Sequence, residues 1–224
     1  CSDFAVPIMS IGEKLETGGL FVFVRRATEI AGLIETGVLN NEVPNDVGTR
    51  INNVQIYNSS LYNAEFFSLK LRNQVSSNTN LTFEQHMLLY YELSSSFRNV
   101  IVQQTMLSDS STLFASPFAG VFFSSVEFKR NSMGDRSKFA HLSGSQSSFI
   151  LESSSFLENN IHGGSSYVQI EDAYHSSSTS ITYISRMQAF QLIQIRSTLF
   201  INDTVEESQV LSFSNVFAVN FDNC

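Results

Sequence analysis

The chain has 224 residues, enough to bury a core without metal or disulfide staples, and 42% of them are hydrophobic, which excludes a disordered segment. Charged residues make up only 15% and the net charge is −8. The 13 Lys and Arg are scattered, so the basic stripe of a nucleic-acid-binding protein is missing. No apolar run approaches the roughly 20 residues of a membrane-spanning helix. Ser and Asn stand where charge usually does; they suit strands, turns and stacked ladders better than helix surfaces. Twenty Phe and no Trp point to a Phe-rich core. Neither an initiator Met nor a signal peptide is present, so the expectation is a mature chain or a piece of a longer one.

In chain order, Gly18-Gly19 lead into an apolar strand at 20–24 that ends at Arg25-Arg26. Residues 36–53, with Pro44, read as an irregular insertion, and 54–57 as a short alternating strand. Residues 72–99 read as a second insertion; in it Phe83, Met87 and Tyr91 fit a short helix and core strand equally. Further strands are expected at 121–123, 167–170, 181–184, 190–195 and 210–213, each bounded by Ser, Asn or Gly.

Between them a frame recurs. Ser154-Ser155-Phe156-Leu157-Glu158-Asn159-Asn160 reads S-x-F-x-x-N-N and is followed by Gly163-Gly164, which suit a turn with positive φ. Ser125 to Asn131, with Phe128, repeats the frame, and Thr105-Met106-Leu107-Ser108-Asp109 fills it with Met for Phe. Ser197 to Asn202 is a looser copy anchored at Leu199, and Phe221-Asp222-Asn223 closes the series. Ile181 serves as an anchor midway between Phe156 and Leu199, making two coils of that interval.

Coils of roughly 22–28 residues with no intervening helical pattern predict an all-β fold. The specific expectation is a right-handed parallel β-helix of about nine coils, one domain over residues 1–224. Met106, Phe128, Phe156 and Phe221 are expected inside, with Asn131 and Asn159 at hydrogen-bonded corners. A β-sandwich is the alternative, but it calls for Asn-Gly or Asp-Gly hairpins and the chain has neither.

The S-x-F-x-x-N frame followed by Gly-Gly resembles the repeats of polymorphic outer-membrane-protein passenger domains, which carry F-x-x-N and G-G-A-[ILV] motifs. Phe/Asn-rich β-helical surface proteins of protists are similar. Phe156, Asn159, Gly163 and Gly164 carry the likeness best, with Phe128 and Asn131 for its first half and Gly18-Gly19-Leu20-Phe21 as a looser copy. Ser165 departs from the motif's Ala. The resemblance covers about half of the chain and implies a β-helix at a cell surface, without catalytic residues.

Glycan-active β-helices set carboxylates on neighbouring coils, sometimes with calcium. Here the candidates are Glu171-Asp172, Glu206-Glu207 and Asp135 beside Arg136; neighbours along a strand point to opposite faces, so solvated loop charge is the better reading. His86, His141, His162 and His175 form no ligand motif, and no nucleophile elbow or phosphate loop occurs. No cofactor, metal, nucleic acid or membrane span is expected. Sequons place glycans at Asn58, Asn80 and Asn202 if the chain is secreted by a eukaryote. Cys1 and Cys224 suit an intermolecular disulfide between stacked units. The expected function is a non-catalytic extracellular structural protein, a surface-coat or filament subunit associating end to end. An adhesin or receptor ectodomain segment is the alternative, and a polysaccharide-active enzyme a further one.

Overall fold

The computed structural model describes residues 14–25, 49–71, 82, 85, 94–116, 120–143, 148–171, 193–214, 216 and 219–224. After β1 (Lys14–Arg25), one plan repeats. β2 (Thr49–Tyr57) leads to β3 (Ser60–Leu71), and β4 (Ser95–Gln103) leads to β5 (Met106–Ser108) and β6 (Thr112–Ser116). β7 (Val121–Lys129) leads to β8 (Ser132–Met133) and β9 (Lys138–Ser143). β10 (Phe149–Glu152) and β11 (Ser155–Leu157) lead to β12 (Asn160–Ile161) and β13 (Ser166–Glu171). β14 (Ile193–Arg196) and β15 (Leu199–Ile201) lead to β16 (Thr204–Val205) and β17 (Gln209–Phe213), and β18 (Val219–Asp222) begins the plan again.

In each repeat the first segment joins an 8-stranded sheet and the second a 10-stranded sheet, so successive repeats lie level on level. The fold is all-β and the registered pairings among the described residues are parallel, as in β4 with β7, β11 with β15 and β13 with β17. The antiparallel hairpins of a sandwich are absent among them.

Backbone bends define the plan. Asn53, Asn58 and Asn63 have positive φ, as do Asn99, Gln104 and Asp109; Ser125, Arg130 and Asp135; Ser153, Glu158 and Gly163; and Ser197, Asn202 and Glu207. Within each repeat the bends fall five residues apart. A left-handed residue is unfavourable for most side chains and tolerable for Asn and Asp, so stacked neighbours must hold Gln104, Arg130 and Glu158 there. Each bend also shifts the inward phase. In β7, Val121 and Phe123 face in, then Val126 and Phe128, with exposed Ser125 as the hinge. The third bend is tighter. Asp109-Ser110, Asp135-Arg136 and Gly163-Gly164 each have two consecutive positive φ, closed by hydrogen bonds such as Ser137 N to Gly134 O (3.2 Å), as in a type I′ turn.

The interior is a column of rings. Phe67 stacks on Phe114, Phe97 on Phe123 and Phe156 on Phe200, with centroids 5.1–5.3 Å apart. Phe139 and Tyr167 pack edge-on between Phe128 and Phe156 or beside them. Offset and edge-on pairs of this kind add to the gain from burial alone.

Several expectations need correction. Residues 49–53 belong to β2 and 95–99 to β4, not to insertions; the bends at Asn53 and Asn99 break the alternation that would have revealed them. Met106 is not the counterpart of Phe128: Val102 is, and Met106, opposite Ser60 and Ser132, points out and is 49% exposed. Phe200, not Leu199, lies opposite Phe156. That direct pairing makes the interval from Phe156 one level rather than two, with residues 172–192, including Ile181, outside the described residues. Phe221 lies over Ile195, in the column of Leu151 and Phe123, and is 53% exposed on the last described level. Of the stretch 83–91 only Gln85 is described; it is helical and exchanges hydrogen bonds with Thr82 in a capping box.

Candidate functional site: the corner ladder

Every described passage from the first sheet to the second takes two residues: Asn58-Ser59, Gln104-Thr105, Arg130-Asn131, Glu158-Asn159 and Asn202-Asp203. The first residue is left-handed and the second turns inward. An inward polar group in a Phe-rich core has to be bonded, and a left-handed turn leaves backbone groups that the regular sheet pattern does not reach. The two needs meet here.

The side chains of Asn131, Asn159 and Asp203 cap the level before them, whereas the Ser59 and Thr105 hydroxyls donate to Tyr57 O and Gln103 O of their own level. Thr105 N donates to Asn131 Oδ1 (2.8 Å), Asn131 N to Asn159 Oδ1 (2.9 Å) and Asn159 N to Asp203 Oδ1 (2.8 Å). In return Asn131 Nδ2 donates to Val102 O and Asn159 Nδ2 to Phe128 O, both at 2.9 Å. Both Asn side chains are buried beside fully buried Phe128 and Phe156. The ladder therefore has a direction: bonding from Asn131, Asn159 and Asp203 runs from each level to its predecessor.

Its last described rung differs. Asp203 carries a second oxygen where Asn131 and Asn159 carry an NH2 donor, and that oxygen is buried without a hydrogen bond. Beside it lies the hydroxyl of Tyr167, a side chain with no exposure, which faces Asp203 and Asn159. Burial pushes the Tyr167 phenol well above its usual range, and the charge of Asp203 pushes it further.

A second ladder lies at the third bend. Ser111 Oγ accepts from Ala64 N (3.2 Å), Ser165 Oγ from Ser137 N (3.1 Å) and Ser208 Oγ from Ser165 N (3.1 Å). Ser165 thus uses a hydroxyl that the motif's Ala lacks. Gly163, at φ 62, has no room for a side chain, because a Cβ would sit 2.9 Å from Asp135 N. The ring of His162 occupies the place a Cβ on Gly134 would take.

The outer surface carries pairs between levels: Arg130 Nε to Glu158 Oε2 at 2.6 Å and Arg196 Nε to Glu152 Oε2 at 2.7 Å. On the second sheet His141 Nε2 lies 3.5 Å from Glu171 Oε2. Burial lowers the His141 pKa and Lys138 lowers it further, against the opposing pull of Glu171. Lys138 is itself lowered by burial, with Glu171 opposing and Arg136 adding.

The candidate catalytic carboxylates are not gathered. Glu171 stands on the face of the second sheet, while Asp135, Glu206 and Glu207 are exposed at the third bend. Among the described residues no group of three His, Cys, Asp or Glu converges on a metal position, and no helix is long and apolar enough to cross a membrane. Asp172, His86, His175, Asn80 and Cys1 lie outside the described residues. Cys224 is an exposed free thiol whose Sγ donates to Ile195 O at 3.3 Å.

Ser165, Thr105, Asp203 and Tyr167 were missed in the sequence. For the first three a signal exists: a small polar residue at or directly after a bend, in step with Asn131 and Asn159. The repeat reads S-x-x-F-x-x-[N/D] from Ser125, Ser153 and Ser197, one residue longer than the S-x-F spacing taken from Ser154. Comparisons with protein-family models, curated proteins and solved structures found no match.

Proposed function

We propose that the chain winds as a right-handed parallel β-helix and serves as a non-catalytic extracellular structural protein, a surface-coat or filament subunit that stacks end to end. The observation carrying this reading is the directional corner ladder. Because each level is capped by the side chains of the next, an incoming level with the same frame extends both ladders and both sheets at once. The levels of β14–β18 leave Val205 and Phe221 exposed in the inward columns of Ile161 and Ile195, surface that such an addition would cover. Head-to-tail addition does not close on itself, so it produces filaments. The dispersed carboxylates support a role without catalysis. The likeness of the repeats to surface β-helices supports an extracellular site.

Electron microscopy with sedimentation tests the reading: unbranched rods that lengthen with protein concentration are expected, and a monomer at all concentrations contradicts it. Joining of stacked units through Cys1 and Cys224 would give a multimer ladder on non-reducing gels that collapses on reduction. Acidic polysaccharides should remain uncut with or without calcium; cleavage abolished by Glu171→Ala would overturn the non-catalytic assignment.

A second reading, an adhesive or receptor ectodomain segment, is favoured by one observation. The sequence intervals that lead from the second sheet back to the first vary widely in length, from residues 117–120 to residues 72–94, as a site for binding insertions would.

A further inference from the structure

We propose that the corner between the two sheets is a glycan-bearing ridge, N-glycosylated at Asn58 and Asn202. This rests on the extracellular reading above and adds which edge of the stack is covered. Sequons alone are too common in an Asn- and Ser-rich chain to mean much; their placement carries the argument. Both Asn residues are the first residue of a two-residue corner, left-handed at φ 46 and 55. That column continues through Gln104, Arg130 and Glu158, all exposed, so it faces water at every level between them. Asn202 is exposed and Asn58 half-buried.

The amides are also free. Asn131 and Asn159 spend theirs inside the ladder, and Asn99 Nδ2 donates to Asn53 Oδ1 at 3.1 Å. Among the described residues the side chains of Asn58 and Asn202 make no hydrogen bond. The hydroxyl residues two positions on, Ser60 and Thr204, open β3 and β16 on the outward side, half-buried and exposed respectively. In the reaction the amide nitrogen attacks the anomeric carbon of a lipid-pyrophosphate-linked oligosaccharide. An N–C bond forms, the C–O bond to pyrophosphate breaks, the amide loses one proton and the lipid pyrophosphate leaves.

The register runs Tyr57, Gln103, Lys129, Leu157, Ile201. Asn58 and Asn202 are thus four levels apart, about 19 Å at ~4.8 Å per level. Two glycans at that spacing shield one edge, leaving lateral contacts to the sheet faces and the side of variable connections.

The test is expression of the full chain with a heterologous secretion leader in eukaryotic cells, in an Asn80→Gln background, with glycopeptide mass spectrometry. The leader imposes entry to the secretory route, so the result reports on the ridge whatever the native location proves to be. Glycan on most molecules at both sites is expected, with one glycan lost in Asn58→Gln and one in Asn202→Gln, and thermal unfolding unchanged after enzymatic glycan removal. A folded, secreted chain with either Asn bare on most molecules overturns the proposal.

Discussion

The two sides on which the chain changes sheets obey different rules. From the first sheet to the second it takes two residues in every described level, and the second of the two bonds into the next level or the previous one. From the second sheet back to the first it takes as few as residues 117–120 and as many as residues 72–94. Buried amides explain the contrast. An added residue at the corner would pull Asn131 or Asn159 out of its ladder and leave core backbone groups unbonded, whereas lengthening the interval between sheets on the other side carries a small entropic cost. The corner therefore fixes register, and variation is channelled to the other side.

Four substitutions sharpen this contrast. The largest effect is expected from Phe156→Ala beside the corner, which removes a fully buried ring stacked on Phe200 and should cost about 3–5 kcal/mol in urea unfolding. Next come two polar truncations, one on each side. Asn159→Ala strands Asn131 N and Phe128 O and should cost about 3 kcal/mol; Ser94→Ala, on the returning side, removes the 3.0 Å bond from Gly120 N and should cost about 1 kcal/mol. Equal losses would mean that the corner has no special standing.

Asp203→Asn should go the other way. By the pattern of Asn131 and Asn159 its new NH2 would meet the carbonyl of Phe156, raising stability by about 1 kcal/mol and Tm by about 2–4 °C. A drop in Tm would show that Asp203 is held by something other than the ladder. The smallest effect concerns pH, away from the corner. His141 has a folded pKa below its unfolded value of about 6.5, so between the two the unfolded chain binds more protons. Its contribution is complete above about pH 6.5 and is lost as pH falls through the folded pKa. His141→Gln should flatten the slope of stability against pH on the acid side of neutrality; an unchanged slope would remove His141 from the account.

Parallel, Phe-rich, Asn-cornered stacking was legible because Phe128, Asn131, Phe156 and Asn159 repeat in chemistry as well as spacing. The misplaced anchors share a cause. Each bend shifts the inward phase by a residue, so the S-x-F spacing of Ser154, carried to the bend residue Ser197, lands on Leu199 rather than Phe200, and Met106, beyond the bend at Gln104, is out of phase with Val102. The left-handed bends at Asn53 and Asn99 concealed strand in the same way, since a polar Asn inside a strand reads as loop. Asp203 was hidden because an Asp after Asn202 looks like an ordinary surface acid until its level is placed.

The claim that the corner specifies the stack is tested most directly by a pair of insertions. The same five-residue Gly/Ser segment is placed between Arg130 and Asn131 in one variant and between Ser145 and Gln146 in another, and both are followed by circular dichroism through thermal unfolding. The second insertion, on the returning side, should keep the β-sheet spectrum and cooperative transition of the parent at a cost of about 0.6 kcal/mol. The first should abolish the transition. A corner insertion that melts like the parent would contradict the account.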